Sequence, residues 1–485
     1  MSERNYILSG FKWITGGVVA QLLIRTVILA VLARIISPED FGIVALALII
    51  IGLAEMLILR GPSAALIQLE TIDSFHIGTL TWLLFAAGFF LFFLITWLSP
   101  NIALFFNEPR SQLPIQVISV SLLINALGQP SQRLLLRHMR FKESALIEIV
   151  SYIIGYGMVG IIMGILDFAV WALVGAYVTQ ILLLNILSGW MVRSQLSIKF
   201  SSDALKAILQ LGSGFTLLQV LDYLGKRSDR FFIGKYISVG DLGLYTRAIE
   251  FINRISLSME KIITQVMFTS FSRMQNDVRL ATKEYLRLNS AASIVTMPAV
   301  SIVFLFHTEI IILLFGDQWL DSAKALQILA PVVFLQVLSK SSITLINGFG
   351  RPYIAGRSYL LFCFSAILGS FIGVSYGIQG ISYAVVVASI LQLISLVAAV
   401  RYLIHVSFYS LIKSICVGLP ISIIIFVLGM VFKLGLISGG SFEQYAFFTV
   451  GVVVVFTLIY IFPKFFIGDV GIKLIQRVWN REKKN

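Results

Sequence analysis

Two cysteines, four histidines and 24 acidic residues are all that 485 residues hold of those types. Cys363 and Cys416 stand in apolar stretches far apart in sequence, so they read as small hydrophobic side chains rather than as a disulfide or a metal pair. His76, His138, His307 and His405 fall in four different connections or span ends without ligand spacing, which predicts no bound metal. There is no Walker sequence, zinc signature or nucleophile elbow. The connections between apolar stretches stay under about 25 residues, leaving no room for a soluble catalytic domain. The expectation is a protein without a cofactor that is not an enzyme. Gly155-Tyr-Gly-Met-Val-Gly160 fits GxGxxG, but no strand precedes it, so its glycines read as points where helices come close.

What the chain has in excess is apolar surface: 58% of its residues are hydrophobic and 13% charged, which calls for lipid as solvent. A span needs about 20 apolar residues whose backbone groups are satisfied within the helix. About fourteen stretches qualify, the first at 13–36, the seventh and eighth at 207–237 and 242–265, and the last two at 411–432 and 445–462. The predicted fold is therefore all-α and polytopic. The first apolar stretch carries Arg25 and runs directly into a second, unlike a cleavable leader, and is expected to stay in the mature protein.

A net charge of +13 would suit a nucleic-acid binder if the basic residues were scattered, but they are not. With a cytoplasmic N-terminus, 24 of the 37 Lys and Arg residues fall in inside connections and the C-terminal tail and 5 in outside connections. That asymmetry predicts an even number of spans, both termini in the cytoplasm and no nucleic-acid partner. The basic tail, 464–485, reads as ordinary positive-inside charge, with contact to anionic lipid as the alternative.

The chain also repeats itself. A shift of 201 positions lays Ala33-Arg-Ile-Ile-Ser-Pro-Glu-Asp-Phe-Gly-Ile43 on Gly234-Lys-Tyr-Ile-Ser-Val-Gly-Asp-Leu-Gly-Leu244, where Ile, Ser, Asp and Gly coincide. Further along, Gly160 and Gly164 correspond to Gly373 and Gly377. Six spans per copy is an even number, so the copies enter the membrane the same way round, related by a pseudo-twofold along the membrane normal. The expected domains are a six-helix lobe at 1–200, a second at 201–405, two added helices at 406–463 and the tail. Such pairs are the architecture of alternating-access carriers, although repeats also occur in membrane enzymes.

The eight Lys and Arg residues left inside spans carry the chemistry. Each central charge costs about 2.5 to 3.5 kcal/mol to insert. In the seventh span Asp222, Lys226, Asp229 and Arg230 share one helical arc, while Arg227 points elsewhere. In the eighth, Arg247, Arg254 and Lys261 recur every seven residues as one stripe, with Glu250 between the two arginines. Arg25 lies mid-span at the repeat position of Lys226, and Glu55 and Lys340 read as further isolated charges. A water-filled cationic cavity explains these residues, and an internal ion-pair network is the alternative. Arg25, Lys226, Arg230, Arg247, Arg254 and Lys261 are the candidate substrate ligands, suited to a phosphate or diphosphate. Glu55, Asp222, Asp229 and Glu250 are the candidate ion-coupling groups.

At Leu32-Ala-Arg-Ile-Ile-Ser-Pro-Glu-Asp-Phe-Gly42, after an Arg-bearing first span, the sequence resembles the polysaccharide transporter family of the MOP superfamily, which includes Wzx-type flippases. The resemblance implies a V-shaped pair of six-helix lobes in the bacterial plasma membrane. These would move a polyprenyl-diphosphate-linked oligosaccharide to the outer leaflet, in contact with membrane lipid and with glycan polymerase or assembly partners. In the related lipid II flippases a first-span arginine lines a cationic cavity, and Arg25 stands at the matching place. The second copy departs from the turn motif with Lys235 for Arg34 and Val239 for Pro38, so no role passes to that turn. A multidrug antiporter of the same superfamily and a membrane-embedded glycan polymerase or transferase are the alternatives. The former would want an acidic or apolar cavity and the latter a large catalytic loop.

Overall fold

A computed structural model describes residues 21–433, some of them, including 211–219 and Lys261, by their backbone alone. Among the described residues the regular secondary structure is all helical, without a strand, as the sequence predicts. We number the helices α1 (21–35), α2 (Pro38–Ala54), α3 (Gly61–Gln68), α4 (Ser74–Phe105), α5 (Gln112–Arg137), α6 (Phe141–Tyr152), α7 (Ile161–Ile165) and α8 (Val170–Met191). Then follow α9 (Ser202–Tyr236), α10 (Val239–Arg273), α11 (Val278–Leu305), α12 (His307–Phe315), α13 (Ser322–Gly348), α14 (Pro352–Gly373), α15 (Gly377–Ile404), α16 (Phe408–Ile415) and α17 (Leu419–Lys433). Wider π turns, Glu55–Arg60 and Ile153–Gly160, join α2 to α3 and α6 to α7.

Nine uninterrupted stretches among the described residues are long and apolar enough to cross a bilayer. The expectation of about fourteen is larger for visible reasons: α9 and α10, read as the seventh and eighth spans, carry several charges each, and Pro352–Ile404 holds two expected spans in one 53-residue stretch. The start of the first span, the span expected at 445–462 and the basic tail lie outside the described residues.

The chain divides into two compact units. The first holds the described residues up to Arg247 with Ile312–Asp321 and Ala366–Ile381. In it α5 packs along α4 and α8, and α9 along α2 and α3. The second holds Ala248–Ile311, Ser322–Ser365 and the described residues from Ser382 on, with α13 and α17 both lying along α11. Several helix ends are closed by side chains. The Arg137 guanidinium, for example, donates to the carbonyls of Leu66, Leu69 and Glu70 at 2.6 to 2.9 Å, satisfying the open end of α3.

Within the first unit the sequence repeat becomes a contact. Ser37 receives the Asp40 amide at 3.2 Å and donates its hydroxyl to the Asp40 carboxylate, and Ser238 does the same for Asp241 with an amide bond of 2.9 Å. Both pairs are N-terminal helix caps, and they are 201 residues apart. The two turns also face each other. A Cβ placed on Gly42 would lie 1.8 Å from the Val239 carbonyl oxygen, and one on Gly243 would lie 1.9 Å from that of Pro38. Gly42 and Gly243 are repeat equivalents, as are Pro38 and Val239, so the contact is reciprocal, as at a twofold axis. Glycine at both sites is what lets backbone meet backbone.

At the start of α4, Asp73 accepts the amides of Phe75 and His76, each at 2.9 Å. These bonds, led by that from the His76 amide, hold its carboxyl below the ordinary carboxylate range. A carboxyl depressed in the folded state contributes stability above its unfolded pKa and loses it as pH falls through the folded value. Hydrogen exchange should therefore show the Phe75 and His76 amides losing protection, relative to their intrinsic rates, below pH of about 4, and Asp73→Ala should remove the dependence.

Candidate functional site

The arc expected on α9 is split in two by the structure. Lys226, exposed, donates to the Asp222 carboxylate one turn earlier at 3.0 Å. Asp229 and Arg230 are 3% and 2% exposed. The Asp229 carboxylate receives the Tyr245 hydroxyl from α10 at 2.8 Å on one oxygen and the Arg230 backbone amide at 2.7 Å on the other. The Arg230 guanidinium has no such arrangement: its Nε and Nη1 are buried without a hydrogen-bond partner among the described residues. Buried N–H groups left without an acceptor are costly, about 1 to 3 kcal/mol each and more on a charged group. The Arg227 guanidinium lies 5.8 Å from the centre of the Tyr223 ring.

Arg25 is not alone in its span. Its Nη2 donates to Glu148 of α6 at 2.7 Å, and its guanidinium lies 5.0 Å from the centre of the Tyr152 ring. Its Nε, like that of Arg230, is buried without a partner among the described residues. Sequence reasoning missed Glu148, although a lone glutamate in an otherwise apolar run is the same signal that singled out Glu55. It also missed Glu260, which stands 3.9 Å from Lys340, so Lys340 is not isolated. With Glu148 and Glu260 counted, the excess of positive over negative charge inside the spans narrows, and the case for anion binding shifts from charge count to the open donors of Arg230 and Arg25.

The α10 stripe is divided as well. Arg247 belongs to the first unit, 8% exposed, with its guanidinium 4.4 Å from the centre of the Phe41 ring. Glu250 and Arg254 are half-buried in the second unit. The Lys261 side chain lies outside the described residues. Glu55, at the start of its π turn, accepts the Asn125 amide at 2.6 Å, so it is not isolated either. The structure thus brings together Asp222 with Lys226, Asp229 with Arg230 through the backbone, and Arg25 and Glu55 with partners outside the predicted set. No group of three or more His, Cys, Asp or Glu among the described residues is placed to hold a metal ion.

These helices are held by a fold with known relatives. The Escherichia coli "Lipopolysaccharide biosynthesis protein WzxC" is 25% identical over 338 residues, 69% of this chain and 68% of its own. The Bacillus subtilis "Teichuronic acid biosynthesis protein TuaB" is 25% identical over 359 residues, 73% of this chain and 74% of its own. Among solved structures, the lipid II flippase MurJ in an inward closed conformation superposes with a TM-score of 0.73 at 15% identity, over 93% of this chain and 98% of its own. An inward-facing multidrug resistance MATE transporter of the MOP superfamily superposes with a TM-score of 0.64 at 15% identity, over 80% of this chain and 96% of its own. The fold is therefore that of MOP-superfamily transporters. Residues 31–324 match the family model described as "Polysaccharide biosynthesis protein", which covers the turn motif, both charged helices and the reciprocal glycine contact, and the chain belongs to that family.

Proposed function

We propose that this protein is a flippase, moving a polyprenyl-diphosphate-linked oligosaccharide across the bacterial plasma membrane by alternating access for cell-surface polysaccharide synthesis. The observation that carries the reading is Arg230, a guanidinium buried in α9, the seventh expected span, whose Nε and Nη1 have no hydrogen-bond partner among the described residues. A diphosphate offers the acceptors those donors lack, and a planar guanidinium suits its paired oxygens. Arg25, Lys226, Arg247, Arg254 and Lys261 are the further proposed ligands, and Asp222, Asp229 and Glu250 stay candidates for ion coupling beside Glu55. The names of the relatives in lipopolysaccharide and teichuronic acid biosynthesis support a glycan as cargo. A cationic drug would find no counter-charge at Arg230, which argues against the antiporter reading. The six-helix lobes at 1–200 and 201–405 and the added helices from 406 on are the proposed moving parts and their border.

Purified protein in liposomes should expose a fluorescent polyprenyl-diphosphate-linked oligosaccharide, loaded on the inner leaflet, to a glycosidase added outside. Exposure no faster than in protein-free liposomes would refute the reading. The proposed orientation has both termini and the 129–143 connection in the cytoplasm. Lys142→Cys in a cysteine-free background should then resist a membrane-impermeant thiol reagent in intact cells while Lys324→Cys reacts. Strong reaction at position 142 would invert the topology.

A further inference from the structure

Diphosphate binding makes no use of a chain of side chains inside the first unit. On α5, Gln132 donates its amide to the Asn185 carbonyl oxygen on α8 at 2.8 Å. Asn185 donates to the Asn125 oxygen at 3.0 Å and to its own helix at Ile181 at 2.8 Å. Asn125 in turn donates to Glu55 at 2.6 Å. All three amide donors point the same way along the chain, toward the carboxylate. Asn125 and Asn185 are 6% and 7% exposed, so the chain is internal. A Cβ on Gly128 would lie 1.7 Å from the Asn185 oxygen, so glycine there is what admits this amide between α5 and α8. One turn from Asn125, the Gln129 side-chain amide oxygen is buried and has no partner among the described residues.

A chain of neutral amides serves as well as any polar contact for holding helices together, but this one ends on a group that gains and loses a proton. The direction of its donors is set by the charge at that end, and hydrogen bonds in series polarise one another. A proton on Glu55 removes the charge that orders the chain and loosens the tie from the π turn after α2 to α5 and α8. π turns inside helices are frequent at functional sites, because they widen the helix and leave it locally adjustable.

We infer that Glu55 takes up and releases the proton that couples the transport cycle, and that Asn125, Asn185 and Gln132 are positioning residues that pass its charge state to α5 and α8. The step is proton transfer alone: a carboxylate and a proton from water on one side give the neutral acid, which returns the proton to water on the other. The coupling role rests on the proposed transport function, whereas proton binding does not. The elements packed against the turn carry Glu39 and Asp40 on α2, His76 on α4, Arg133 and Arg137 on α5, and Asp203, Lys206, Asp222, Tyr223, Lys226, Arg227, Asp229, Arg230, Lys235 and Tyr236 on α9. Any protonation signal must therefore be assigned by substitution.

Infrared difference spectra of the purified protein in lipid, acid minus neutral buffer, should contain a carboxylic acid band that vanishes in Glu55→Gln, returns displaced in Glu55→Asp and shifts in Asn125→Leu. Liposomes with an imposed pH gradient supply the second readout, using the fluorescent polyprenyl-diphosphate oligosaccharide as probe. The gradient should accelerate the parent protein, whereas Glu55→Gln should move the probe at one rate with or without it. An acid band surviving intact in Glu55→Gln, or gradient acceleration surviving there, would overturn the proposal. A parent that moves no probe would refute the flippase reading, and the infrared spectra would still decide whether Glu55 binds the proton.

Discussion

Gly42→Ala and Gly243→Ala should each lower the apparent melting temperature of the purified protein sharply, and the double variant should fall little further. The added methyl meets a backbone carbonyl at 1.8 Å in the first case and 1.9 Å in the second. A backbone oxygen cannot swing aside as the end of a side chain can, so the two turns must separate. Overpacking of this kind costs about 3 kcal/mol or more at its upper end. The reciprocity makes the test specific. Once either methyl has parted the turns, the second meets open space, so the two costs should not add, as expected for one shared contact. Fully additive losses would mean that the glycines act at separate places. Transport should fall with stability in both single variants, because the same contact joins the starts of α2 and α10.

This contact was half legible in the sequence. The shift of 201 residues already matched Ser37 with Ser238, Asp40 with Asp241 and Gly42 with Gly243, and the structure shows why those types recur: the serines and aspartates cap helices, and the glycines clear the way for a backbone crossing. Which turn the motif would meet was not legible, since periodicity reports a face and not its neighbour. The all-helical, polytopic character was legible because a membrane span is a long apolar run that few other structures imitate. The site was read less well. Helical spacing placed Asp222, Lys226, Asp229 and Arg230 on one arc, but a hundred degrees of arc is wide enough for Lys226 to be exposed while Arg230 is 2% exposed. Glu148 and Glu260 were passed over because attention went to positive charge, and each proved to be the partner of a residue thought isolated or free for substrate. Asn125, Asn185 and Gln132 carry no charge, and single amides in apolar helices give no sequence signal of the chain they form.

Arg230→Met should abolish transport while leaving the protein as stable as before or more so. The opposing directions follow from the geometry. An unbranched apolar side chain of similar length removes a buried guanidinium whose Nε and Nη1 have no partner among the described residues, and replacing buried charge by packed apolar atoms is commonly neutral or stabilising by about 1 to 4 kcal/mol. The same change removes donors proposed to meet the diphosphate, where a charge-assisted bond contributes about 3 kcal/mol, roughly a hundredfold in transport rate. Arg25→Ala behaves differently, because it also strands the Glu148 carboxylate now held at 2.7 Å. It should lower both abundance and transport, and adding Glu148→Ala should restore abundance without restoring transport. Arg25→Lys should recover part of the rate, since the charge survives and the planar fork does not. Initial rates of outer-leaflet exposure in liposomes, read beside melting temperatures of the same preparations, separate the two effects. Loss of stability in Arg230→Met would mean that the guanidinium holds the helices together, and an unchanged rate would remove it from the substrate path.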